Sequence, residues 1–121
     1  MVKVLIVDDQ EPFRSAARMV VELTEGFEVV GEAETGEEGV EMAAGLEPDL
    51  VLIDINMPGI NGLEATRRIT EARPATKVVI FSTYEAGEYE SRAKDAGAIA
   101  FIPKSDFDPV SLVSTWEQAG Q

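Results

Sequence analysis

Apolar and polar positions follow one another along the chain in a repeating order of short apolar runs and longer amphipathic stretches. The apolar runs, rich in Val and Ile, predict five strands at 3–7, 28–34, 49–54, 77–82 and 98–102. The stretches with a helical period between and after them predict five helices at 11–25, 35–48, 61–72, 86–97 and 108–118. Strands that are apolar on both faces are typical of a parallel sheet covered by helices. The pattern therefore predicts an α/β fold, a doubly wound five-stranded parallel sheet with five helices on both faces.

Residues at the helix ends support these boundaries. Pro12 is acceptable in the first turn of the first helix. Thr35, followed three residues later by Glu38, predicts a capping box at the start of the second helix. Asp106 or Asp108 is expected to cap the last helix.

The length and the apolar runs limit the kind of protein this is. A chain of 121 residues predicts one domain, over 1–121. Its apolar runs are shorter than the roughly 20 residues that span a bilayer, and its opening residues do not form a signal peptide. We therefore expect a cytoplasmic protein that does not enter a membrane.

Charge and missing residue types exclude several chemistries. The chain has no Cys and no His, which excludes thiol chemistry, a Ser-His pair and a His-ligated metal within it. Its formal net charge of -13 disfavours nucleic-acid binding by this domain. A metal bound here must have oxygen ligands, which favours Mg²⁺, Ca²⁺ or Mn²⁺.

Polar residues with chemical potential stand at the ends of four predicted strands. Asp8 and Asp9 follow the first strand, Asp54 ends the third, Ser82 ends the fourth, and Lys104 lies just past the fifth. Ligands of open α/β sheets bind beyond the carboxyl ends of the strands, so we expect these side chains to meet at one edge.

Three carboxylates in one place need compensation, because two like charges about 5 Å apart repel by roughly 3 kcal/mol at an effective dielectric of about 20. A divalent cation removes that repulsion, and Mg²⁺ (or Mn²⁺) suits an open site that also holds a phosphate. Lys104 and Ser82 supply a charge and a hydrogen bond for phosphoryl oxygens, and a carboxylate can itself accept the phosphoryl group.

Each residue also has a simpler interpretation. Asp9 alone could cap the first helix, and Asp54 alone could form the turn before Met57. Lys104 and Ser82 alone could be an ordinary solvated lysine and hydroxyl. Their joint placement at the ends of four strands favours a site for a metal and a phosphoryl group. No GxxxxGK[ST] or GxGxxG motif is present, which excludes a P-loop nucleotide site and a dinucleotide-binding site.

With these residues in place, the whole chain resembles a response-regulator receiver domain of two-component signalling. The motifs are the Asp8-Asp9 pair, "DLVLIDINMPGINGLEATRRI", "VVIFSTYE" and "GAIAFIPKS". "GFEVVGEAETGEEGVEMA" further resembles receivers whose regulators carry a helix-turn-helix DNA-binding output domain. The resemblance implies the flavodoxin-like strand order 2-1-3-4-5, and a receiver domain without an output domain in this chain.

The resemblance also implies a role for each acid. Asp54 would be the phosphoacceptor. Asp9 would bind Mg²⁺ directly and Asp8 through water, while Asn56 would offer its backbone carbonyl to the metal.

Three further residues would respond to the phosphoryl group. Ser82 would hydrogen-bond it, with Thr83 as the alternative, and Lys104 would pair with it. Phe101 matches an aromatic switch position, although an aromatic on a strand is more simply a core residue.

The implied function is a signalling switch that catalyses only its own phosphorylation and dephosphorylation. A sensor histidine kinase or phosphotransfer protein would supply the phosphoryl group. The responding surface would comprise helix 86–97, which has the poorest apolar face, strand 98–102 and the last helix, with scope for a phosphorylation-dependent dimer.

Two other functions are compatible with parts of this pattern. A Mg²⁺-dependent phosphatase or phosphotransferase with an aspartyl nucleophile usually has a second acid two residues later, where this chain has Asn56. A docking module that works without phosphorylation would lack Asp54, Asp9 or Lys104, and all three are present.

Overall fold

The computed structural model describes the backbone of residues 1–82 and 87–119, and the side chains of these residues except 87–89. The strands are β1 (Val2–Val7), β2 (Phe27–Ala33), β3 (Leu50–Asp54), β4 (Lys77–Ser82) and β5 (Ala100–Pro103). The helices are α1 (Glu11–Leu23), α2 (Gly36–Leu46), α3 (Gly62–Ala72), α4 (Gly87–Asp95) and α5 (Pro109–Ala119). A 3₁₀ turn, Lys104–Asp106, follows β5. The predicted order of elements is confirmed.

The five strands form one parallel sheet in the order β2-β1-β3-β4-β5, which confirms the predicted strand order. The register makes the strands end nearly level. Asp54 lies opposite Phe81, and Ser82, the next residue of β4, lies opposite Pro103. The carboxyl ends of β3, β4 and β5 therefore meet at one edge of the sheet.

The core consists of two layers, one on each face of the sheet. Successive side chains of a strand point to opposite faces. In β3, Val51 and Ile53 pack with the residues of α2, α3 and α4, whereas Leu50 and Leu52 pack with those of α1 and α5. The same alternation explains why Val4–Val7 of β1 and Val78–Phe81 of β4 are apolar at consecutive positions.

The predicted helix caps are present, with one change of partner. The Thr35 hydroxyl accepts a hydrogen bond from the Glu38 backbone N–H at 3.0 Å, as expected. The Glu38 carboxylate, however, accepts from the N–H of Glu34 instead of that of Thr35. At α5, Asp108 is the cap, because its carboxylate accepts from the Ser111 N–H at 2.7 Å.

Helix α1 ends at Leu23, two residues before the predicted end. The Thr24 hydroxyl donates to the Val20 carbonyl, and the Thr24 N–H donates to the Val21 carbonyl. These bonds close the last turn before Gly26, which has a positive φ of 90°.

The start predicted for the fourth helix, residue 86, and the side chain of Tyr89 lie outside the described residues. Among the side chains that are described, α4 buries Ala93 against the sheet. No helix in the described part of the chain is long and apolar enough to cross a membrane.

Candidate functional site

The three predicted acids meet at the carboxyl edge of the sheet. Asp8, Asp9 and Asp54 each place a carboxylate oxygen within 4.8 Å of the others. Asp8 and Asp54 are 1% and 3% exposed, whereas Asp9 is exposed. The site therefore has two buried carboxylates beneath one that reaches solvent.

Asp54 is held in place by its strand and by the helix that follows. All five residues of β3 are buried. Gly62, the first residue of α3, approaches so closely that a Cβ there would lie 2.3 Å from the Asp54 carbonyl oxygen. The Gly62 N–H donates to the carbonyl of Ile55 at 2.9 Å. The tight return of the chain fixes the direction in which Asp54 leaves the sheet.

Asp8 continues the sheet by one residue, because its N–H donates to the Ala33 carbonyl at 3.0 Å. Its Oδ1 accepts from the Gln10 N–H at 2.7 Å, and its carbonyl accepts from the Arg14 guanidinium at 2.7 Å. The capping interpretation of Asp9 is wrong, since the N-cap of α1 is Gln10, whose side chain makes no capping hydrogen bond.

Lys104 points into the acid cluster. Its Nζ lies 2.8 Å from Asp8 Oδ2 and 3.7 Å from Asp54 Oδ1, and its side chain is 12% exposed. It also donates to Gln10 Oε1 at 3.3 Å and lies over the ring of Phe13. The interpretation of Lys104 as an ordinary solvated lysine is therefore wrong.

Burial gives Asp54 an unusual protonation equilibrium. Loss of water around the carboxyl group, followed by the nearby charge of Asp8, raises the pKa of Asp54 to about 6. The charge of Lys104 and a hydrogen bond from the Asn56 backbone N–H act in the opposite direction. This bond also shows that Asp54 takes part in the turn after β3, as the simpler interpretation proposed.

Two buried oxygens of the cluster lack a hydrogen-bonding partner among the described residues, Asp8 Oδ2 and Asp54 Oδ1. Lys104 Nζ lies 2.8 Å from Asp8 Oδ2 without the geometry of a hydrogen bond, and 3.7 Å from Asp54 Oδ1, which is beyond hydrogen-bonding distance. Carboxylate oxygens that converge without donors are the ligands that Mg²⁺ prefers. The three acids thus fit a hard divalent cation.

The remaining predicted residues surround this cluster. Ser82 is buried at the end of β4, one residue past the partner of Asp54. Asn56 is exposed in the loop after β3. Phe101, on β5, is half-buried and packs against the core layer of α2, α3 and α4. Thr83, the alternative to Ser82, lies outside the described residues.

Sequence reasoning did not identify Gln10 and Phe13 as neighbours of Lys104. The helical period predicts only that Phe13 is an apolar position of the first helix. Both lie at the start of α1, directly after the acid pair. A signal was present, because a helix that follows β1 must begin at the same sheet edge as the other strand ends.

The chain matches the family model described as "Response regulator receiver domain" over residues 4–117. It is 41% identical over 104 residues to the response regulator GacA of Pseudomonas aeruginosa, covering 86% of this chain and 49% of that protein. It is 36% identical over 116 residues to the nitrate/nitrite response regulator protein NarL of Escherichia coli, covering 96% and 53%. The chain thus spans about half the length of the curated relatives it matches.

Solved structures give the same result. A two-component response regulator of the LuxR family from Aurantimonas is 32% identical, with a TM-score of 0.88 and coverage of 98% of this chain and 86% of that one. A DNA-binding response regulator of the LuxR family from Staphylococcus aureus is 26% identical, with a TM-score of 0.89 and full coverage of both. The predicted likeness to receivers of DNA-binding regulators is confirmed.

Proposed function

Since this chain belongs to the response regulator receiver domain family of two-component systems, we propose that it accepts a phosphoryl group on Asp54 and thereby changes the surface it offers to partners. One observation carries the proposal. Asp54 is buried at the end of β3, and its Oδ1, which accepts no hydrogen bond from the described residues, lies 3.7 Å from the Lys104 Nζ.

The chemistry is a transfer from a histidine of a partner protein, because this chain contains no His. The donor is a sensor histidine kinase or a phosphotransfer protein. An Asp54 carboxylate oxygen attacks the phosphorus in line, the phosphorus–nitrogen bond breaks, and the histidine ring, protonated on its other nitrogen, leaves as neutral imidazole. The reaction needs the ionised carboxylate. With its pKa at about 6, Asp54 is mostly ionised at neutral pH.

The residues of the cluster would hold Mg²⁺ or Mn²⁺. Asp9, Asp54 and the backbone carbonyl of Asn56 would bind it directly, and Asp8 would bind through water. The bound cation supplies charge neutralisation for the transferring phosphoryl group. The exposure of Asp9 leaves this side of the cluster open to solvent and to a phosphodonor.

Lys104 and Ser82 are the groups proposed to hold the phosphoryl oxygens, through a charge and a hydrogen bond. Lys104 already contacts the acids from the side of α1. Ser82 is buried at the end of β4 beside the end of β5. A phosphoryl group on Asp54 would therefore be held between residues from two different strand ends.

The response is proposed to run from Ser82 to Phe101 and on to the surface of α4, β5 and α5. Phe101 borders a groove of about 420 Å³ that is also lined by Ala93 and Ala98. A ring at the edge of such a groove has room to change position. Two states that differ by a few kcal/mol are enough for phosphorylation to favour one of them.

The test is phosphorylation by a small donor. Incubation with acetyl phosphate and Mg²⁺ should add one phosphoryl mass to the intact protein, and Asp54→Ala should abolish the gain. Asp106→Ala, which removes an exposed carboxylate outside the cluster, should leave it unchanged. No gain in the wild type, or a gain that persists in Asp54→Ala, would contradict the proposal.

A second assay separates the switch from an enzyme that acts on outside substrates. We expect no turnover of a generic phosphate ester, since the position of a second acid is taken by Asn56. Sustained hydrolysis that Asp54→Ala abolishes would assign the site to a phosphatase.

A further inference from the structure

The ammonium group of Lys104 rests on an aromatic ring. Its Nζ lies 4.5 Å from the centroid of Phe13, within the range of a cation–π contact. Asp8 Oδ2 and Asp54 Oδ1 lie 2.8 and 3.7 Å from the same nitrogen, and Gln10 Oε1 lies 3.3 Å from it. Lys104 is thus surrounded by two acids, one amide and one ring.

The ring of Phe13 is itself fixed by other aromatic side chains. It meets Phe81, which is fully buried, edge to face at a centroid distance of 5.2 Å. Phe81 meets Phe107 in the same manner at 4.9 Å. Phe107 follows Lys104 by three residues, and its N–H donates to the Lys104 carbonyl at 3.3 Å. The row Phe13–Phe81–Phe107 connects α1, β4 and the turn after β5, and its last member is bonded to the lysine backbone.

We propose that Phe13 is a positioning residue for Lys104, which it holds between Asp8 and Asp54 through its ring face. The inference rests on the proposed function, because it assigns to Phe13 a role in phosphoryl transfer through the lysine. A lysine side chain is a flexible stem with a point charge, so its position must be set by its surroundings. Asp8 alone would draw the ammonium away from Asp54.

The position of the ammonium affects the reaction because a charge stabilises a transition state best when it is already in place. Burial strengthens the contact with the ring, since the lysine side chain is only 12% exposed. A leucine at position 13 would keep most of the apolar packing against Phe81 but would remove the ring face. The lysine would then sample more rotamers, and fewer would reach the phosphoryl group.

The first experiment needs neither metal nor phosphate. Protons above a ring face are shifted upfield, so in the wild type the ε-methylene protons of Lys104 should be shifted upfield in NMR spectra. Phe13→Leu should return them to ordinary lysine values, and Phe13→Tyr should keep the shift. Ordinary values in the wild type would overturn the inference.

The second experiment is a double-mutant cycle on phosphorylation by acetyl phosphate. Phe13→Leu should lower the limiting rate constant about two- to fivefold, as expected for loss of one cation–π contact. The acetyl phosphate concentration at half-maximal rate should change little. Phe13→Tyr should restore the rate, and Phe13→Leu should have no effect when Lys104→Ala is already present.

The outcomes separate this inference from the proposed function. A wild type that gains no phosphoryl group contradicts the proposed function, while the NMR experiment still decides whether the ring holds the lysine. An equal loss of rate with and without Lys104 means that Phe13 is a packing residue only, which overturns the inference. If Phe13→Leu does not fold, as judged by its thermal unfolding, Phe13→Met takes its place in both experiments.

Discussion

Asp54 ends a strand in which every residue is buried, and its Oδ1 accepts no hydrogen bond from the part of the chain that the structure describes. A carboxylate in such a place is destabilised relative to its neutral form, which is why its pKa rises to about 6. The same property makes the site receptive to cations. The ionised Asp54 carboxylate thus lowers the stability of the protein when no cation is bound, and it is also the nucleophile of the proposed reaction.

Replacement of Asp54 by Asn should stabilise the metal-free protein. At pH 7.5 we expect the free energy of unfolding to rise by about 1–3 kcal/mol, because Asn removes a buried charge at similar volume. A carboxyl whose folded pKa is raised stabilises the fold at low pH and loses that contribution as pH rises through its folded pKa. The advantage of Asp54→Asn should therefore shrink between pH 6 and pH 4. Urea denaturation across this range measures it.

Asp106→Asn is the matched control, since Asp106 is exposed. Its effect should stay within about 0.5 kcal/mol at every pH, as for most surface substitutions. A destabilising effect of Asp54→Asn at pH 7.5 would mean that the ion pair with Lys104 outweighs the cost of burial.

Divalent cations should bind more weakly as Asp54 takes up its proton. We expect the dissociation constant for Mg²⁺ to be nearly constant above pH 7 and to rise below pH 6, because the cation needs the ionised carboxylate. Titration of the NMR shifts of residues around Asp54 measures this. Asp9→Ala should weaken binding at all pH values, and a pH-independent affinity would contradict the role of Asp54 as a ligand.

At the scale of elements, the end of α4 is attached to α3 by a polar contact. The Thr70 hydroxyl lies 3.0 Å from the Ala96 carbonyl, to which it can donate. Gly97 follows with a positive φ of 105°, and a Cβ there would lie 2.7 Å from the same hydroxyl. The connection from α4 to β5 therefore depends on a residue without a side chain.

Gly97→Ala should destabilise the protein by about 1–3 kcal/mol, because alanine tolerates this φ poorly and its methyl group meets Thr70. Gly45→Ala is the matched comparison, since Gly45 is exposed in α2 with nothing within 4 Å of an added Cβ. That change should stabilise by about 0.5–1 kcal/mol. Equal effects of the two variants in urea denaturation would contradict this account.

At the scale of the whole molecule, the residues of the proposed switch lie on both faces of the sheet. Lys104 and Phe13 lie on the side of α1 and α5, and Phe101 lies on the side of α4. A phosphoryl group on Asp54 would contact Lys104 on one face and, through Ser82, would affect Phe101 on the other. The surface that responds is therefore expected to extend over α4, β5 and α5 and not to remain local to Asp54.

Lys104→Ala should separate phosphorylation from response. We expect the variant still to accept a phosphoryl group from acetyl phosphate, because Asp54 and the metal ligands remain. The reaction should be slower, because the charge of Lys104 is lost. The chemical-shift changes on phosphorylation in α4, β5 and α5 should be reduced, since the charge contact between Lys104 and the phosphoryl oxygens is absent. A full set of shift changes in Lys104→Ala would contradict its role in the response.

Much of this protein follows from its sequence. Strands that are apolar on both faces require a parallel sheet with helices on each side, and parallel strands end at one edge. That edge had to bring together Asp8, Asp9, Asp54, Ser82 and Lys104, because each stands at or just past the end of a strand. Periodicity and strand-end positions are local properties, so the sequence determines them.

Only the tertiary structure decided how these residues share the site. Asp8 is buried and Asp9 exposed because one extra sheet hydrogen bond, to the carbonyl of Ala33, holds Asp8 in the sheet. The raised pKa of Asp54 and the ring beneath Lys104 likewise depend on contacts between residues distant in sequence. Burial and contact distances arise when separate elements pack together, so the pattern of apolar and polar residues along the chain does not determine them.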